Sequence, residues 1–229
     1  MPRLRRPHAP IRALVLDLDG TMVDSEPLSR HAWGIFLQQH GLVLDEAVYA
    51  RMVGRRADES ARLLQSHFGL ALSVGEIIAG KNAVWSHIWQ QGLPPMPGLD
   101  ALIAGISARE LPWAVATSSP GHYARQVLSR LRLRPWAIVG GDEVAHGKPA
   151  PDVYLTAITR LGVAAADCLA VEDSGPGCVA ALNAGMTVAA IPNPLTPVAS
   201  LPAIHYVCES LAGILPLLPN FSDGFILPE

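Results

Sequence analysis

The sequence predicts a doubly wound α/β fold, in which helices cover both faces of one parallel sheet, with an all-helical domain inserted. Short runs of Val, Ile, Leu and Ala recur along the chain, and a turn and a helical pattern follow most of them. One long stretch near the amino end has helical periodicity and no strand. Strands covered on both faces read as continuous apolar runs, and their alternation with helices implies parallel pairing.

Six apolar runs are the predicted strands. Asp17 follows the first run, and the last run is weak. In chain order the runs are Ala13–Leu16, Trp113–Ala116, Trp136–Val139, Cys168–Val171, Thr187–Ile191 and His205–Val207.

Helices are predicted between these strands, and residues typical of helix ends mark several of them. Ser119 is a predicted N-cap with Pro120 in the first turn, whereas Gly162 and Gly185 stand where helices should stop. Ser174 is a further candidate cap. The predicted helices are Leu99–Ser107, Gly121–Leu131, Asp152–Leu161 and Gly177–Ala184.

A helical stretch after the first strand interrupts this alternation. Ser73 and Glu76 have the spacing of a capping box, and the proline-rich Pro94–Gly98 is typical of a linker. The predicted helices of the stretch are Leu28–His40, Ala57–Phe68 and Val74–Gln91. We expect an α/β core of residues 1–27 and 98–229 and a helical domain of residues 28–97.

Composition excludes several classes of protein. Half of the 229 residues are hydrophobic and 16% are charged, which is typical of a folded chain. A net charge of −3 gives no electrostatic basis for binding nucleic acid. The three cysteines have no zinc-site spacing, and we interpret them as small core residues.

The chain also lacks the apolar run of about 20 residues that spans a bilayer, so no membrane association is expected. Arg3, Arg5 and Arg6 make the amino end basic, but no signal-peptide apolar region follows them. We interpret this end as a solvated tail and expect a cytoplasmic protein.

Polar residues follow four of the predicted strands where each should end. Ligands of a doubly wound sheet bind beyond the carboxyl ends of its strands, so these residues should lie together. Clustered carboxylates require a cation, and ligation by oxygen alone points to Mg²⁺. The residues are Asp17, Asp19, Thr117, Lys148, Glu172 and Asp173.

Phosphoryl transfer would use all of these groups. It needs charge neutralisation, a nucleophile and a proton carrier. One aspartate can attack phosphorus to form an aspartyl-phosphate, and a second can protonate the leaving group and then deprotonate water. A lysine and a hydroxyl suit the remaining phosphate oxygens.

The stretch Asp17-Leu-Asp-Gly-Thr-Met-Val-Asp-Ser-Glu26 resembles the opening motif of the haloacid dehalogenase superfamily. Three further signatures follow in that family's order: Thr117 after an apolar strand, Lys148 within Gly-Lys-Pro-Ala-Pro-Asp152, and Val171-Glu-Asp-Ser-Gly175. The resemblance covers residues 13–191 and implies a Rossmann-like core with a helical cap.

The resemblance also implies a role for each motif residue. Asp17 is expected to be the nucleophile and a metal ligand, and Asp19 to be the general acid/base, with its backbone carbonyl also on the metal. Lys148 would balance the charge of the nucleophile and phosphate. Thr117, with Ser118 or Ser119 as alternative hydroxyls, would bind phosphoryl oxygens. Asp173 would bind the metal and Glu172 would assist it.

The cap is expected to close over the site and select the substrate. Lys81 matches the cap lysine of relatives that resemble beta-phosphoglucomutase. Arg55 and Arg56 lie in a segment that resembles the substrate-specificity loop of these relatives. Lys81, Arg55, Arg56 and Ser118 are therefore the candidate substrate-binding residues.

The function indicated is a Mg²⁺-dependent phosphatase of a small phosphorylated metabolite such as a sugar phosphate. A phosphomutase is the nearest alternative, but that family has a histidine where this chain has Ser29, and His31 follows two residues later. A phospho-accepting receiver module is the non-enzymatic alternative, although it would lack Asp19 and the helical insertion. Dehalogenation is disfavoured because displacement at carbon does not need Asp19.

Overall fold

A six-stranded parallel sheet forms the centre of the structure, a computed structural model that describes residues 10–219. The strand order is β3-β2-β1-β4-β5-β6, so β1 lies in the middle of the sheet between β2 and β4. The strands are β1 (Ala13–Leu16), β2 (Trp113–Ala116), β3 (Ala137–Val139), β4 (Cys168–Glu172), β5 (Thr187–Ala190) and β6 (Tyr206–Val207).

The doubly wound α/β fold is confirmed. Each predicted strand is present, with its ends displaced by at most one residue. The predicted tail with Arg3, Arg5 and Arg6, and the outer ends of the predicted core at 1–9 and 220–229, lie outside the described residues.

Eight α-helices accompany the sheet in the described part of the chain. The helices are α1 (Glu26–Gln39), α2 (Glu46–Ala50), α3 (Ala57–Phe68), α4 (Val74–Ile88), α5 (Leu99–Ala108), α6 (Gly121–Arg130), α7 (Asp152–Leu161) and α8 (Gly175–Asn183). Short 3-10 helices cover Trp89–Gln91, Gly141–Glu143, Ala165–Asp167, Val198–Ser200 and Leu211–Leu217.

The side chains of β1 show why its sequence is apolar throughout. Leu14 and Leu16 enter a cluster on one face of the sheet, whereas Ala13 and Val15 enter a second cluster on the other face. Successive residues of a strand point to opposite faces, so a strand covered by helices on both sides has no position for a polar residue until it ends.

Helices α1 to α4 have a hydrophobic cluster of their own. It includes Phe36, Leu37, Leu64 and Ile77, all of them buried. The helix α2 was not predicted, because five residues are too few to show a helical period; Asp45 caps it by accepting a hydrogen bond from the amide of Val48 at 2.8 Å.

The chain enters and leaves this helical segment through two adjacent linkers. The amide of Asp24 donates to the carbonyl of Pro94 at 2.9 Å, and the amide of Met96 donates to the carbonyl of Met22 at 2.9 Å. These antiparallel contacts place the two ends of the segment side by side. The division into an α/β core and a helical domain stays a prediction that this geometry supports.

The predicted helix stops at Gly162 and Gly185 are confirmed, and of the three predicted N-terminal caps two agree with the structure and one differs. Ser73 and Glu76 form the predicted capping box of α4, and Ser174 caps α8. Ser119 was wrongly predicted to cap α6: its hydroxyl is bonded to Asp19, and the side chain of Asp142 accepts from the first amide of the helix instead.

All three cysteines have free thiols, and Cys168 and Cys178 are buried. Among residues 10–219, no helix is both long enough and apolar enough to cross a membrane.

We predict that Ile77→Ala lowers the free energy of unfolding by about 2–4 kcal/mol, because it leaves a cavity in the cluster of the helical segment. Urea unfolding followed by circular dichroism measures the change. Val43→Ala is the matched control, since Val43 belongs to the same segment but is 82% exposed. Equal loss in both variants would contradict the assignment of Ile77 to a packed core.

Candidate active site

The centre of the site is formed by the ends of two neighbouring strands. Asp17 follows β1, and Glu172 and Asp173 lie at the end of β4, which pairs directly with β1. The amide of Asp17 donates to the carbonyl of Val171 at 3.0 Å, which continues the ladder to the first catalytic candidate. One oxygen atom from each of the three carboxylates lies within 4.8 Å of the others.

Lys148 joins two of these buried carboxylates. Its Nζ lies 2.5 Å from Oδ1 of Asp17 and 2.6 Å from Oε1 of Glu172, and it also donates to the carbonyl of Ala116 at 3.2 Å. Only 1% of Lys148 is exposed. A buried ammonium is stable only when charged or polar partners replace water, as these three acceptors do.

The pKa values of Asp17 and Lys148 are set by burial and by the charges of their neighbours, which act in opposite directions. Burial is the largest influence on Asp17 and raises its pKa to about 8, although the Lys148 ammonium opposes this. Burial alone would lower the pKa of Lys148, but Asp17 and Glu172 outweigh it and raise that pKa above its usual value. Lys148 therefore remains a cation in the site.

Glu172 has little remaining capacity to bind a ligand. Its Oε1 accepts from Lys148 and from the Tyr154 hydroxyl at 2.7 Å. Its Oε2 accepts from the Ser174 hydroxyl at 2.9 Å and from the amides of Asp173 and Ser174 at 3.2 Å. Five donors surround a group with about four lone-pair sites, so Glu172 fixes its neighbours rather than facing the cavity.

Asp173 is held from two directions. The Thr21 hydroxyl donates to its Oδ1 at 3.1 Å, and the Asn193 amide donates to its Oδ2 at 2.9 Å. Gly20 has a φ of +81°, and a Cβ there would overlap the Asp173 carboxylate. The tight turn after β1 therefore admits only glycine without displacing Asp173.

The donor set fits a divalent metal ion. When all are ionised, three buried carboxylates (Asp17, Glu172 and Asp173) and one ammonium (Lys148) leave two negative charges. Burial, and then the charges of Glu172 and Asp17, raise the pKa of Asp173 well above its usual value. A bound dication would remove this electrostatic cost, and oxygen ligands of this kind suit hard cations.

Asp19 lies at the wall of a cavity and is not one of the three clustered carboxylates. The Ser119 hydroxyl donates to its Oδ2 at 2.6 Å, with Thr117 more distant at 3.5 Å, and the Tyr123 hydroxyl donates to its Oδ1 at 3.0 Å. Both carboxyl oxygens of Asp19 are thus held by hydroxyl groups.

Thr117 and Ser118 follow β2 and also line the cavity. The Thr117 hydroxyl accepts from the amide of Ser119 at 3.0 Å, and the Ser118 hydroxyl donates to the carbonyl of Gly54 at 3.0 Å. Gly54 has a φ of +77°, and a Cβ there would overlap the Ser174 side chain. The loop of the helical segment therefore lies directly on the sheet end.

A cavity of about 500 Å³ lies between the sheet end and the helical segment. Asp17 and Asp19 line it, whereas Lys148, Glu172 and Asp173 are buried behind Asp17. Its walls combine aromatic rings with hydroxyl, amide and charged groups, including Glu26, Ser29, Trp33, Tyr49, Lys81, Asn82, Trp85 and Gln126.

Lys81 lines this cavity, and its ammonium contacts two indole rings. Its Nζ lies 5.5 Å from the ring centroid of Trp33 and 4.7 Å from that of Trp85. Burial lowers the pKa of Lys81 to about 8, while the charges of Asp19 and Glu26 oppose this. The ammonium is held by cation–π contacts and faces the cavity without a closely paired carboxylate among the described residues.

Glu26 is a second charged group of this wall. Its carboxylate accepts from the Tyr49 hydroxyl at 2.7 Å, and burial raises its pKa to about 7. Of the two arginines predicted to reach a substrate, Arg55 lines the cavity, whereas Arg56 donates to the carbonyl of Ala145 at 3.3 Å. The substrate contacts of Arg55, Arg56, Lys81 and Ser118 stay predictions.

Sequence reasoning missed several residues that the fold brings to the site. Glu26 closes the Asp17–Glu26 motif, so its place in that motif was a usable signal. Tyr123, Tyr154 and Asn193 carry no such signal, because each reaches the site from a helix or loop whose side-chain direction depends on tertiary packing.

The chain is similar to known proteins over most of its length. It is 35% identical over 188 residues to hexitol phosphatase A of Escherichia coli K12, a match that covers 80% of this chain and 84% of the relative. The solved structure of CbbY from Rhodobacter sphaeroides in complex with phosphate has a TM-score of 0.79 at 25% identity, covering 89% of this chain and 96% of the other.

A third likeness concerns the fold alone. The beta-phosphoglucomutase of Clostridium difficile has a TM-score of 0.79 at 20% identity, covering 88% of this chain and 92% of the other.

Residues 11–185 match the haloacid dehalogenase-like hydrolases as a family. The chain is therefore an enzyme that belongs to the haloacid dehalogenase-like hydrolase family.

Proposed function

We propose that the chain is a Mg²⁺-dependent phosphatase that hydrolyses a small phosphorylated metabolite through an aspartyl-phosphate on Asp17. The observation that carries this proposal is the position of Asp17. It lines the cavity on one side and contacts buried Lys148 on the other, with Asp173 in the same carboxylate cluster. A nucleophilic carboxylate needs this combination of access and charge compensation.

In the first step, an Asp17 oxygen attacks phosphorus while Asp19 gives a proton to the leaving oxygen. In the second step, Asp19 takes a proton from water as that water attacks phosphorus and releases Asp17. Lys148 remains an ammonium and offsets the charge of Asp17, and the Thr117 hydroxyl with its neighbouring amides is available to phosphoryl oxygens.

Asp17, Asp173 and the backbone carbonyl of Asp19 would hold the metal. When bound, Mg²⁺ supplies positive charge at the transferring phosphoryl group. Glu172 serves this site indirectly, because its oxygens are already occupied by Lys148, Tyr154 and Ser174.

The cavity supports a phosphorylated polyol or sugar as the substrate. Its walls carry acceptors such as Glu26 and donors such as Lys81 and Asn82, together with indole rings that suit C–H faces. The relative named hexitol phosphatase A supports the same class. Neither nucleic acid nor membrane is a proposed partner, and a cytoplasmic location stays a prediction.

Two features favour hydrolysis over phosphoryl transfer to a sugar. Ser29, which stands where the mutases have histidine, lines the cavity. His31 is exposed and is not part of that lining. The likeness to a beta-phosphoglucomutase at 20% identity concerns the fold and does not favour a mutase.

We predict that Asp17→Asn abolishes phosphate release, because an amide cannot form the aspartyl-phosphate. A panel of hexitol, hexose and glycerol phosphates with Mg²⁺, assayed for inorganic phosphate, tests this. Asp100→Asn is the matched control, since Asp100 is an exposed aspartate of α5. Activity retained by a folded Asp17→Asn protein would exclude the mechanism.

We predict that chelation by EDTA abolishes activity and that added Mg²⁺ restores it. Asp173→Asn should raise the Mg²⁺ concentration for half-maximal activity by about tenfold or more, because it removes a charged ligand. Mg²⁺ should also raise the melting temperature of the wild type and of Asp100→Asn but not of Asp173→Asn. An unchanged Mg²⁺ response in Asp173→Asn would place the metal elsewhere.

We predict that Lys81→Ala lowers kcat/KM for the best sugar phosphate by about tenfold, the effect expected for one lost charged hydrogen bond. The difference from wild type should diminish above pH 8, because the pKa of Lys81 is about 8 and the cation is lost as the pH rises. Arg62→Ala, on the exposed side of α3, is the control. A constant difference from pH 6 to pH 10 would contradict a role for the Lys81 charge.

A further inference from the structure

Tyr123 connects the predicted general acid/base to the helical segment. It lies on α6 and is 6% exposed, and its hydroxyl donates to Oδ1 of Asp19 at 3.0 Å. Its ring packs against Trp85 and Trp89, with centroid separations of 6.0 and 5.5 Å. The ring is thus fixed by aromatic contacts while its hydroxyl reaches the site.

The hydroxyl of Tyr123 acts together with that of Ser119. Ser119 donates to the opposite carboxyl oxygen of Asp19, Oδ2, at 2.6 Å. Two donors on different oxygens fix the rotation of a carboxyl group, which a single donor does not. Burial, and then the charge of Asp19, raise the pKa of Tyr123 far above its usual value, so the phenol remains a neutral donor.

We propose that Tyr123 is a positioning residue for proton transfer by Asp19, an inference that rests on the proposed phosphatase function. Its hydrogen bond holds the Asp19 carboxyl group in the plane from which it can meet the leaving oxygen. A misdirected carboxyl group would still permit attack by Asp17 but would protonate the leaving group poorly.

Transfer of the phosphoryl group to Asp17 exchanges one bond to phosphorus for another and moves one proton. The bond between Asp17 and phosphorus forms as the bond between phosphorus and the leaving oxygen breaks. The proton on Asp19 moves to that oxygen, which departs as a neutral alcohol. Tyr123 keeps its own proton and is unchanged.

Leaving groups differ in their need for this proton. An alkoxide or phenoxide is a strong base and requires protonation as it leaves. A p-nitrophenolate does not, because the nitro group stabilises its charge. Loss of the Tyr123 hydroxyl should therefore penalise alkyl and phenyl phosphates selectively, whereas general damage to the site would slow all substrates alike.

The test compares Tyr123→Phe with wild type on glycerol 3-phosphate, phenyl phosphate and p-nitrophenyl phosphate, with Mg²⁺ present. Phenylalanine keeps the ring that packs against Trp85 and Trp89. We expect kcat/KM to fall about tenfold for the first two substrates, a part of the roughly 100-fold or greater contribution of a general acid. For p-nitrophenyl phosphate the fall should be less than twofold.

Tyr154→Phe is the matched control. It removes another buried tyrosine hydroxyl that donates to a carboxylate of the site, Oε1 of Glu172, which has no part in proton transfer. Its effect should be the same factor for every substrate. Melting temperatures of both variants show whether either has lost its fold.

Each result decides a separate point. An equal fall on all three substrates for Tyr123→Phe, or no fall on any, would overturn the positioning role. The absence of phosphate release by wild type from every substrate, or its persistence in Asp17→Asn, would overturn the proposed function itself. Release by wild type from p-nitrophenyl phosphate alone would also overturn the positioning role, since no proton transfer would then be at work.

Discussion

The buried contact of Lys148 with Asp17 and Glu172 is the interaction on which the rest of the site depends. Parallel strands β1 and β4 bring their carboxylates to one edge of the sheet, where burial strengthens their mutual repulsion. The single ammonium cancels part of this charge, and the remainder makes the site selective for a cation. The same charge imbalance that costs stability therefore suits the site to a cation.

Much of this arrangement could be predicted from the sequence, because it depends on local patterns. The runs from Ala13 and Trp113 are apolar throughout, so their ends, and hence Asp17 and Thr117, could be placed to the residue. Tyr123 and Asn193 could not be placed, because their contacts depend on how α6 and the 191–197 loop pack on the sheet. Ser119 was misplaced for a related reason: a hydroxyl that can cap a helix can equally bind a carboxylate.

The residues proposed for the chemistry and those proposed for substrate recognition come from different parts of this fold. Asp17 and Asp173 follow the paired strands β1 and β4, whereas Lys148 belongs to the loop before α7 and is held by its side-chain contacts. Lys81 and Glu26 belong to helices of the inserted segment and line the opposite wall. Tyr123 belongs to the core but touches Trp85 and Trp89, and so lies where the two parts meet.

The paired linkers have a consequence for how such an enzyme can diverge. Because the linkers at 22–24 and 94–96 run side by side, the segment between them begins and ends at one point of the core. Its helices can lengthen, shorten or be exchanged without altering the register of any strand. If this segment selects the substrate as proposed, natural variation in it would change the substrate range of the enzyme and leave the strand ends that carry Asp17 and Asp173 unaltered.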